Sequence, residues 1–305
     1  MNGYGYMDTR DIAKKIKDIS YDEMMHDYKA LSGLKTYKDI IQYSQSRSRM
    51  GNKVVDYYTF VARLYTRGKY NINFFDFCEN IEEFKKKKFI KTMFEYYSTV
   101  KNKNNTKNEY IVYKEVYNIC ISAINIFRPL IAMEIYARFE PKHILDPCAG
   151  WGGRAVGAAA INIMYTGFDI NKDLREPYAE LEKFLGTGTE IVLTIQDATQ
   201  VNYSTDVSPY DMVFTSPPYY FLEKYNNNVA YASKDDMNKM FYIPLFSNTY
   251  KHLMHNGYFI LNVNIEIYEN VCIPLLGEAI EKYKMNKSKR QNVYTEYIYI
   301  WKKDK

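Results

Sequence analysis

The chain has 305 residues, of which 47% are hydrophobic and 25% are charged, and its formal net charge is +5. This composition predicts a globular protein with a substantial core, and no uncharged segment reaches the length that a membrane-spanning helix needs. The four cysteines are widely spaced without a Cys-x-x-Cys pair, and residues 1–20 contain no apolar run of the secretory type. We therefore expect no disulfide framework, no metal site and an intracellular setting, in the cytoplasm or at the nucleoid, for a protein of cellular, phage or viral origin.

The N-terminal region, residues 1–110, is basic and is predicted to be mostly helical. It contains 21 Lys and Arg against 14 Asp and Glu, whereas the remainder contains 20 against 22. Apolar residues recur there at helical spacing, for example Phe60, Val61 and Leu64. A positive surplus suits phosphate contacts and substrate recognition, although charged runs are more often solvated helix faces. The candidate phosphate contacts are Arg47, Arg49, Lys53, Arg63, Arg67 and Lys69.

A polar run at residues 101–108 is the best linker, so a domain boundary is expected near residue 110. Two helices are predicted after it, near residues 113–126 and 130–139. Apolar runs that alternate with helical segments then predict strands at residues 143–145, 165–169, 190–195, 211–215 and 258–263, and a terminal strand at or near a sheet edge at 293–301. This alternation implies right-handed crossovers, so residues 111–305 are predicted to form an α/β domain with an open, doubly wound, mostly parallel Rossmann-like sheet.

The first of these strands ends in a glycine-rich turn, Asp146-Pro147-Cys148-Ala149-Gly150-Trp151-Gly152, and further acids, Asp169 and Asp197, follow the next two strands. A dinucleotide site is the rival interpretation, but the turn lacks Gly-x-Gly-x-x-Gly spacing and its strand-end carboxylate would repel a pyrophosphate. S-adenosylmethionine suits the acids better, because it offers an ammonium group to Asp146, ribose hydroxyls to Asp169 and an adenine amine to Asp197. Taken singly, each aspartate could equally be a turn or cap residue.

The fourth strand ends in Ser216-Pro217-Pro218-Tyr219, followed by Tyr220 and Phe221. Two prolines remove two N–H donors and hold the chain extended, so the loop presents acceptors in fixed positions. A nucleobase amine with its ring stacked on an aromatic side chain would suit such a loop. The plainer alternative is that the two prolines only end a strand.

With these motifs in this order, residues 113–305 resemble the S-adenosylmethionine-dependent amino-methyltransferases, which methylate cytosine N4 or adenine N6 in DNA, in the motif order called gamma. The resemblance implies that the cofactor binds at the glycine-rich turn and at the acids that follow it. The segment before the second predicted helix resembles the part of some classes that encloses the methionine end of the cofactor. The cofactor-binding residues implied are Phe127, Pro129, Asp146, Cys148, Gly150, Gly152, Asp169 and Asp197.

The resemblance also implies catalytic roles for Ser216, Pro217, Pro218 and Tyr219, with Ser at the first position favouring cytosine N4 over adenine N6. The Ser216 hydroxyl and the Pro217 carbonyl would accept hydrogen bonds from the amine of a flipped base, and Tyr219, with Tyr220 or Phe221, would receive its face. DNA is the expected partner, as in restriction-modification. Methylation of RNA or of a protein amide, and a catalytically inactive nucleic-acid-binding protein, remain alternatives.

Overall fold

The computed structural model describes residues 8–46, 48–122, 125–221, 229–284 and 297–304. In this part of the chain, seven strands form one sheet with the order β3-β2-β1-β4-β5-β7-β6. Strands β1 to β5 are parallel, whereas β7 runs antiparallel to both β5 and β6. The strands are β1 His143–Asp146, β2 Met164–Asp169, β3 Ile191–Ile195, β4 Met212–Thr215, β5 Tyr258–Val263, β6 Glu281–Lys284 and β7 Tyr297–Lys302.

Helices precede the sheet and connect its strands. The N-terminal ones are α1 Thr9–Ile16, α2 Tyr21–Ser32, α3 Tyr37–Gln45, α4 Asn52–Leu64, α5 Phe74–Glu79, α6 Ile81–Lys85, α7 Lys88–Glu95 and α8 Glu109–Cys120. Those of the sheet domain are α9 Pro129–Phe139, α10 Gly153–Ala160, α11 Arg175–Leu185, α12 Lys234–Met237, α13 Ile243–His252, α14 Ile265–Ile267 and α15 Ile273–Leu276. Both the helical N-terminal region and the doubly wound, mostly parallel sheet are confirmed. None of the helices in the described ranges is long and apolar enough to cross a membrane.

Both faces of the sheet are buried, as the continuous apolar strands require. On one face, Ile144 and Phe214 pack with α9, α10 and α11 in a cluster that also includes Leu31 and Val55 from α2 and α4. On the other face, residues such as Leu261 pack with α13. The N-terminal helices α2 and α4 therefore share a hydrophobic core with the sheet.

A third cluster joins α1 and α4 to α8 and is rich in aromatic residues, including Phe74, Phe77 and Tyr117. The boundary expected near residue 110 falls inside α8, which packs into this cluster. The polar run before α8 forms an ordered turn, in which the Asn102 side chain bonds both the N–H and the carbonyl of Lys107, at 2.9 and 3.0 Å.

Some boundaries differ from the sequence predictions. Helix α8 begins earlier than predicted because the Asn108 side chain accepts a hydrogen bond from the N–H of Ile111, at 3.1 Å, and so caps it. Strand β6 was not predicted, since its sequence Glu-Lys-Tyr-Lys has little apolar character. The terminal strand β7 lies between β5 and β6, one position in from the edge, and residues 293–296 of its predicted range lie outside the described residues.

Candidate active site

The two motifs that the sequence singled out lie on neighbouring strands. Strand β1 pairs with β2 on one side and with β4 on the other, so the direction of winding reverses between β1 and β4. In open α/β sheets, ligands bind beyond the carboxyl ends of the strands at such a point. The glycine-rich turn follows β1 and the Ser-Pro-Pro-Tyr loop follows β4, which places both at this edge.

The glycine-rich turn needs its glycines for two separate reasons. Gly150 and Gly152 have φ angles of 58° and 79°, in the left-handed region that side chains disfavour. Gly153 has no room for a side chain, because a Cβ atom there would lie 2.0 Å from the Phe127 carbonyl oxygen. The segment before α9 therefore lies directly against the turn. This contact brings Phe127, one of the residues that the resemblance singles out, next to the glycine-rich turn.

Asp146 lies at the centre of a buried polar cluster. Its carboxylate is fully buried and accepts hydrogen bonds from Arg154 Nε at 2.6 Å and from the Tyr165 hydroxyl at 2.5 Å. The guanidinium of Arg154 also donates to the carbonyl of Cys148 at 2.5 Å, and it lies 5.1 Å from the ring centre of Phe127. Burial opposes the charge of Arg154, but the Asp146 carboxylate raises its pKa. Asp146 and Arg154 thus connect β1, the turn and the Phe127 segment.

These partners require a correction for Asp146. The sequence assigned its carboxylate to the ammonium group of a ligand, but Arg154 already supplies its positive charge and Tyr165 takes a further acceptor position. The carboxylate of Asp146 does not face a ligand. Its role is to hold the turn in shape. Sequence reasoning missed Arg154 as its partner, although the residue is a lone cation in an Ala- and Gly-rich helix.

Pro129 is buried, whereas Cys148 is half-buried, as Asp169 and Asp197 are. Pro129 is buried at the first turn of α9, and a Cβ atom on Gly51 would come within 2.8 Å of its Cβ. Its ring therefore packs toward the start of α4. Burial raises the pKa of the Cys148 thiol well above its usual value, which favours the protonated form.

Asp169 and Asp197 are half-buried at the ends of their strands. The two carboxylate oxygens of Asp169 accept hydrogen bonds from the N–H groups of Gly150 and Asn171, each at 2.9 Å. Burial raises the pKa of Asp169. Asp197 uses Oδ1 for both of its contacts with Thr199, at 2.9 and 2.8 Å, and no described residue bonds its Oδ2. Both carboxylates are thus oriented by local contacts and keep acceptor capacity for a ligand.

The loop after β4 is fixed by two side chains that the sequence did not single out. Asn262 of β5 is buried, and its Oδ1 accepts hydrogen bonds from the hydroxyls of Ser216 and Tyr219, both at 3.2 Å. The Tyr219 hydroxyl also lies 3.1 Å from the Asn262 carbonyl oxygen. Tyr242 clamps the following residues, since its hydroxyl donates to the Pro218 carbonyl and accepts from the Tyr220 N–H. The sequence feature that could have identified Asn262 is its position as a polar residue near the carboxyl end of an otherwise apolar strand.

The remaining acceptor of the loop is the Pro217 carbonyl. No described residue donates a hydrogen bond to it. Pro218 holds Pro217 away from the helical conformation, so this carbonyl is not the acceptor of a helical turn. The Ser216 hydroxyl and the Pro217 carbonyl are therefore acceptors that the loop keeps beside each other.

The residues predicted to contact the substrate beyond the Ser-Pro-Pro-Tyr motif differ in their exposure to solvent. Tyr220 is 6% exposed, has a φ angle of 50°, and bonds Asn238 Oδ1 through its hydroxyl at 3.1 Å. The prediction that Tyr220 stacks on a base is wrong, because its ring is part of the core. Phe221 is 48% exposed and stays a candidate. Arg49 is exposed, whereas Arg47 lies outside the described residues.

Some of the candidate phosphate contacts are instead used within the protein. Lys53 pairs with Glu23 at 2.9 Å and Arg67 with Asp76 at 3.0 Å. Arg63 forms a buried ion pair with Asp56. The remaining candidate, Lys69, is exposed next to Tyr70, whose ring it approaches to 5.1 Å.

Comparison with known proteins finds similarity in fold and little in sequence. No family model matches the chain, and no curated protein matches it in sequence. TrmN from Thermus thermophilus is 14% identical over 58% of this chain and 49% of its own, with a TM-score of 0.44. An rRNA methylase from Streptococcus thermophilus is 11% identical over 59% of this chain and all of its own, with a TM-score of 0.40. The N-methyltransferase NodS from Bradyrhizobium japonicum is 10% identical over 57% and 94%, also at 0.40.

The chain thus spans about half the length of TrmN. The fold itself is carried by the sheet, in which five parallel strands are wound on both sides of β1 and an antiparallel β7 lies between β5 and β6. This is the open, doubly wound, mostly parallel Rossmann-like sheet that the sequence predicted.

Proposed function

We propose that the protein is an S-adenosylmethionine-dependent methyltransferase that acts on the exocyclic amine of a nucleic-acid base, with cytosine N4 of DNA favoured over adenine N6. The observation that carries this proposal is the position of two motifs on adjacent strand ends. A glycine-rich turn followed by oriented acids suits an adenosine-containing, cationic cofactor, and a rigid pair of acceptors beside it suits a donor amine.

The donor set at the turn fits this cofactor. The carboxylates of Asp169 and Asp197 each keep acceptor capacity, so they suit ribose hydroxyls and an adenine amine, whereas they would repel a phosphate. Gly150 has open space where a side chain would be, with the closest atom 4.0 Å from an ideal Cβ position. When bound, the cofactor supplies an electrophilic methyl group on a sulfonium.

The loop residues provide the remaining chemistry. An aromatic amine is a weak nucleophile, because its lone pair is delocalised into the ring. When the amine donates hydrogen bonds to Ser216 Oγ and to the Pro217 carbonyl, its nitrogen becomes more pyramidal and its lone pair is directed toward the methyl group. No covalent intermediate is needed. A base in a duplex must leave the stack to reach this loop, and exposed Phe221 offers its ring to the flipped base.

Replacement of Asp169 by asparagine tests the cofactor site. We expect about a tenfold or larger loss of S-adenosylmethionine affinity, because the amide retains only one acceptor oxygen for the turn and the ribose together. Calorimetric titration with S-adenosylhomocysteine measures it. Asp173→Asn, four residues further along the chain, is the matched control and should bind like the wild type. Equal affinity of Asp169→Asn and the control would contradict the assigned role.

A basic surface in the N-terminal region supports a polyanionic substrate. Tyr70 is 49% exposed, and the amines of Lys69 and Lys87 lie 5.1 and 4.9 Å from its ring centre. Cations beside an exposed aromatic ring are a common feature of surfaces that bind nucleic-acid backbones and bases. We name Lys69, Tyr70 and Lys87 the Tyr70 surface.

Removal of both lysines of the Tyr70 surface is expected to weaken binding of any nucleic acid. The double variant Lys69→Ala/Lys87→Ala should lower affinity several-fold and reduce the slope of log affinity against log salt by about 1.5, since two phosphate contacts are lost. Fluorescence anisotropy across a salt series measures both quantities. Lys86→Ala is the control, because Lys86 pairs with Glu83 at 2.5 Å. An unchanged slope in the double variant would remove this surface from the interface.

RNA or a protein amide is the second candidate substrate. DNA, RNA and protein amides can each be methylated at an amine or amide nitrogen, and the same pair of loop acceptors could hold that nitrogen in each of them. The Ser at the first position of the loop favours cytosine only through the family resemblance. A competition between duplex DNA, transfer RNA and protein for labelled methyl groups separates them.

A further inference from the structure

Asn262 lies beside the Ser-Pro-Pro-Tyr loop. It lies on β5 one residue beyond the last pair between β4 and β5, Thr215 with Leu261, and so next to Ser216. Its side chain is buried, and every polar atom of it has a partner. This residue stands outside both motifs that the sequence identified.

The orientation of the Asn262 amide is fixed by β7. Its Nδ2 donates to the Tyr297 carbonyl oxygen at 3.1 Å. A carbonyl can only accept, so a flipped amide would set two acceptors against each other. The oxygen Oδ1 is therefore the atom that faces the loop, and there it contacts the Ser216 hydroxyl.

The direction of the Ser216 hydroxyl hydrogen follows from this. Oδ1 of an amide has lone pairs and no hydrogen, so Ser216 must donate to it. A hydroxyl has one hydrogen, and once that is given to Asn262 the oxygen can only accept from a third group. The Pro217 carbonyl beside it is also an acceptor in all circumstances.

We propose that Asn262 is a positioning residue that makes the Ser216 hydroxyl an obligate acceptor, so that the site selects amino bases and rejects keto bases. This inference rests on the proposed function. Cytosine and adenine present an N–H group to the two acceptors. Uracil and hypoxanthine present an oxygen in the same position, and its lone pairs would face those of Ser216 and Pro217 in a water-poor site.

The test compares oligonucleotides that differ only in this group. The probes are fluorescein-labelled single strands of about 12 nucleotides, within the range that one binding site covers, made of deoxycytidine, deoxyuridine, deoxyadenosine or deoxyinosine. Binding is measured by anisotropy with the full-length protein saturated with S-adenosylhomocysteine. The wild type should bind the amino member of at least one pair, C over U or A over I, about tenfold more tightly than the keto member.

Two variants separate the positioning role from a structural one. Ser216→Ala removes the hydroxyl acceptor, so the preference of this variant for amino over keto bases should fall to about threefold, because the Pro217 carbonyl alone supports it. Asn262→Leu leaves the hydroxyl free to donate to a keto oxygen, so its preference should fall further, to near unity or inverted. Thr249→Val, which removes a buried hydroxyl from α13, is the control and should keep the wild-type preference.

The outcomes that overturn the inference are distinct from those that overturn the proposed function. Oligonucleotide binding with no preference in the wild type, or an undiminished preference in Ser216→Ala, rejects the selection of amino bases but leaves the methyltransferase assignment standing. An Asn262→Leu protein that is folded and keeps the preference rejects the positioning role. Absence of binding to any of the four strands rejects the inference, whereas methyl transfer to nucleic acid tests the proposed function separately. Where Asn262→Leu fails to fold, the Ser216→Ala result still decides whether the Ser216 hydroxyl carries the preference.

Discussion

Ser216→Ala is expected to lower the rate of methyl transfer by about two to three orders of magnitude while it leaves cofactor affinity unchanged. The hydroxyl is one of two acceptors for the amine, and its hydrogen bond strengthens as the nitrogen acquires positive charge in the transition state. Among the described residues, its hydrogen-bond partner is Asn262 and not a residue of the glycine-rich turn. Single-turnover transfer from labelled S-adenosylmethionine measures the rate, and calorimetry measures the affinity.

The matched control for Ser216→Ala is Ser204→Ala. Ser204 is exposed in a turn outside both motifs, where its hydroxyl bonds Asn202 at 2.6 Å. This variant should transfer methyl groups at the wild-type rate. Full activity of Ser216→Ala would exclude the hydroxyl from the reaction, and a loss of cofactor binding in that variant would assign Ser216 to the cofactor site.

Loss of one partner of the Asp146–Arg154 ion pair is expected to destabilise the fold by about 3–5 kcal/mol. Both side chains are almost fully buried, with 0% and 3% exposure, so removal of one leaves an uncompensated charge in the core. Arg154→Met also removes the donor to the Cys148 carbonyl, and the glycine-rich turn should loosen. Urea denaturation of Asp146→Asn and Arg154→Met measures the cost.

An exposed ion pair provides the comparison. Arg138 and Glu281 form a two-bond pair at 2.6 and 2.7 Å, but both side chains are about one-third exposed. Arg138→Met should cost about 1 kcal/mol or less. The double variant Asp146→Asn/Arg154→Met should be less unstable than the sum of the single changes, because no lone charge stays buried. If the variants of both ion pairs lost an equally small free energy of unfolding, the role of Asp146 as an internal anchor would be contradicted.

Much of the fold was predictable because it depends on local pattern. Strand β5 was predicted with its observed bounds, since five of its six residues, all but Asn262, are apolar or aromatic. The turn after β1 and the loop after β4 were identified from glycine and proline, whose backbone constraints are intrinsic to the residue. Strand β6 was missed because its pairing with β7, and not its own composition, makes it a strand.

The site was less predictable at the level of side-chain partners. An aspartate at a strand end is compatible both with a ligand contact and with an internal ion pair, and only the fold brings Arg154 and Tyr165 to Asp146. Tyr220 was expected beside the substrate, but its left-handed backbone turns the ring into the core. Asn262 was missed since its relation to Ser216 depends on the pairing of β4 with β5, at a separation of 46 residues.

The most direct measurement of the central claim is the identification of the methylated product. The purified protein is incubated with labelled S-adenosylmethionine and a mixture of duplex DNA and total RNA, and the nucleosides are then separated and identified by mass spectrometry, with Ser216→Ala as the inactive control. We expect label on an exocyclic amine, as N4-methylcytosine in DNA, and none with Ser216→Ala. Label on a ring carbon or on a ribose hydroxyl would contradict the account, and so would equal labelling by the wild type and Ser216→Ala.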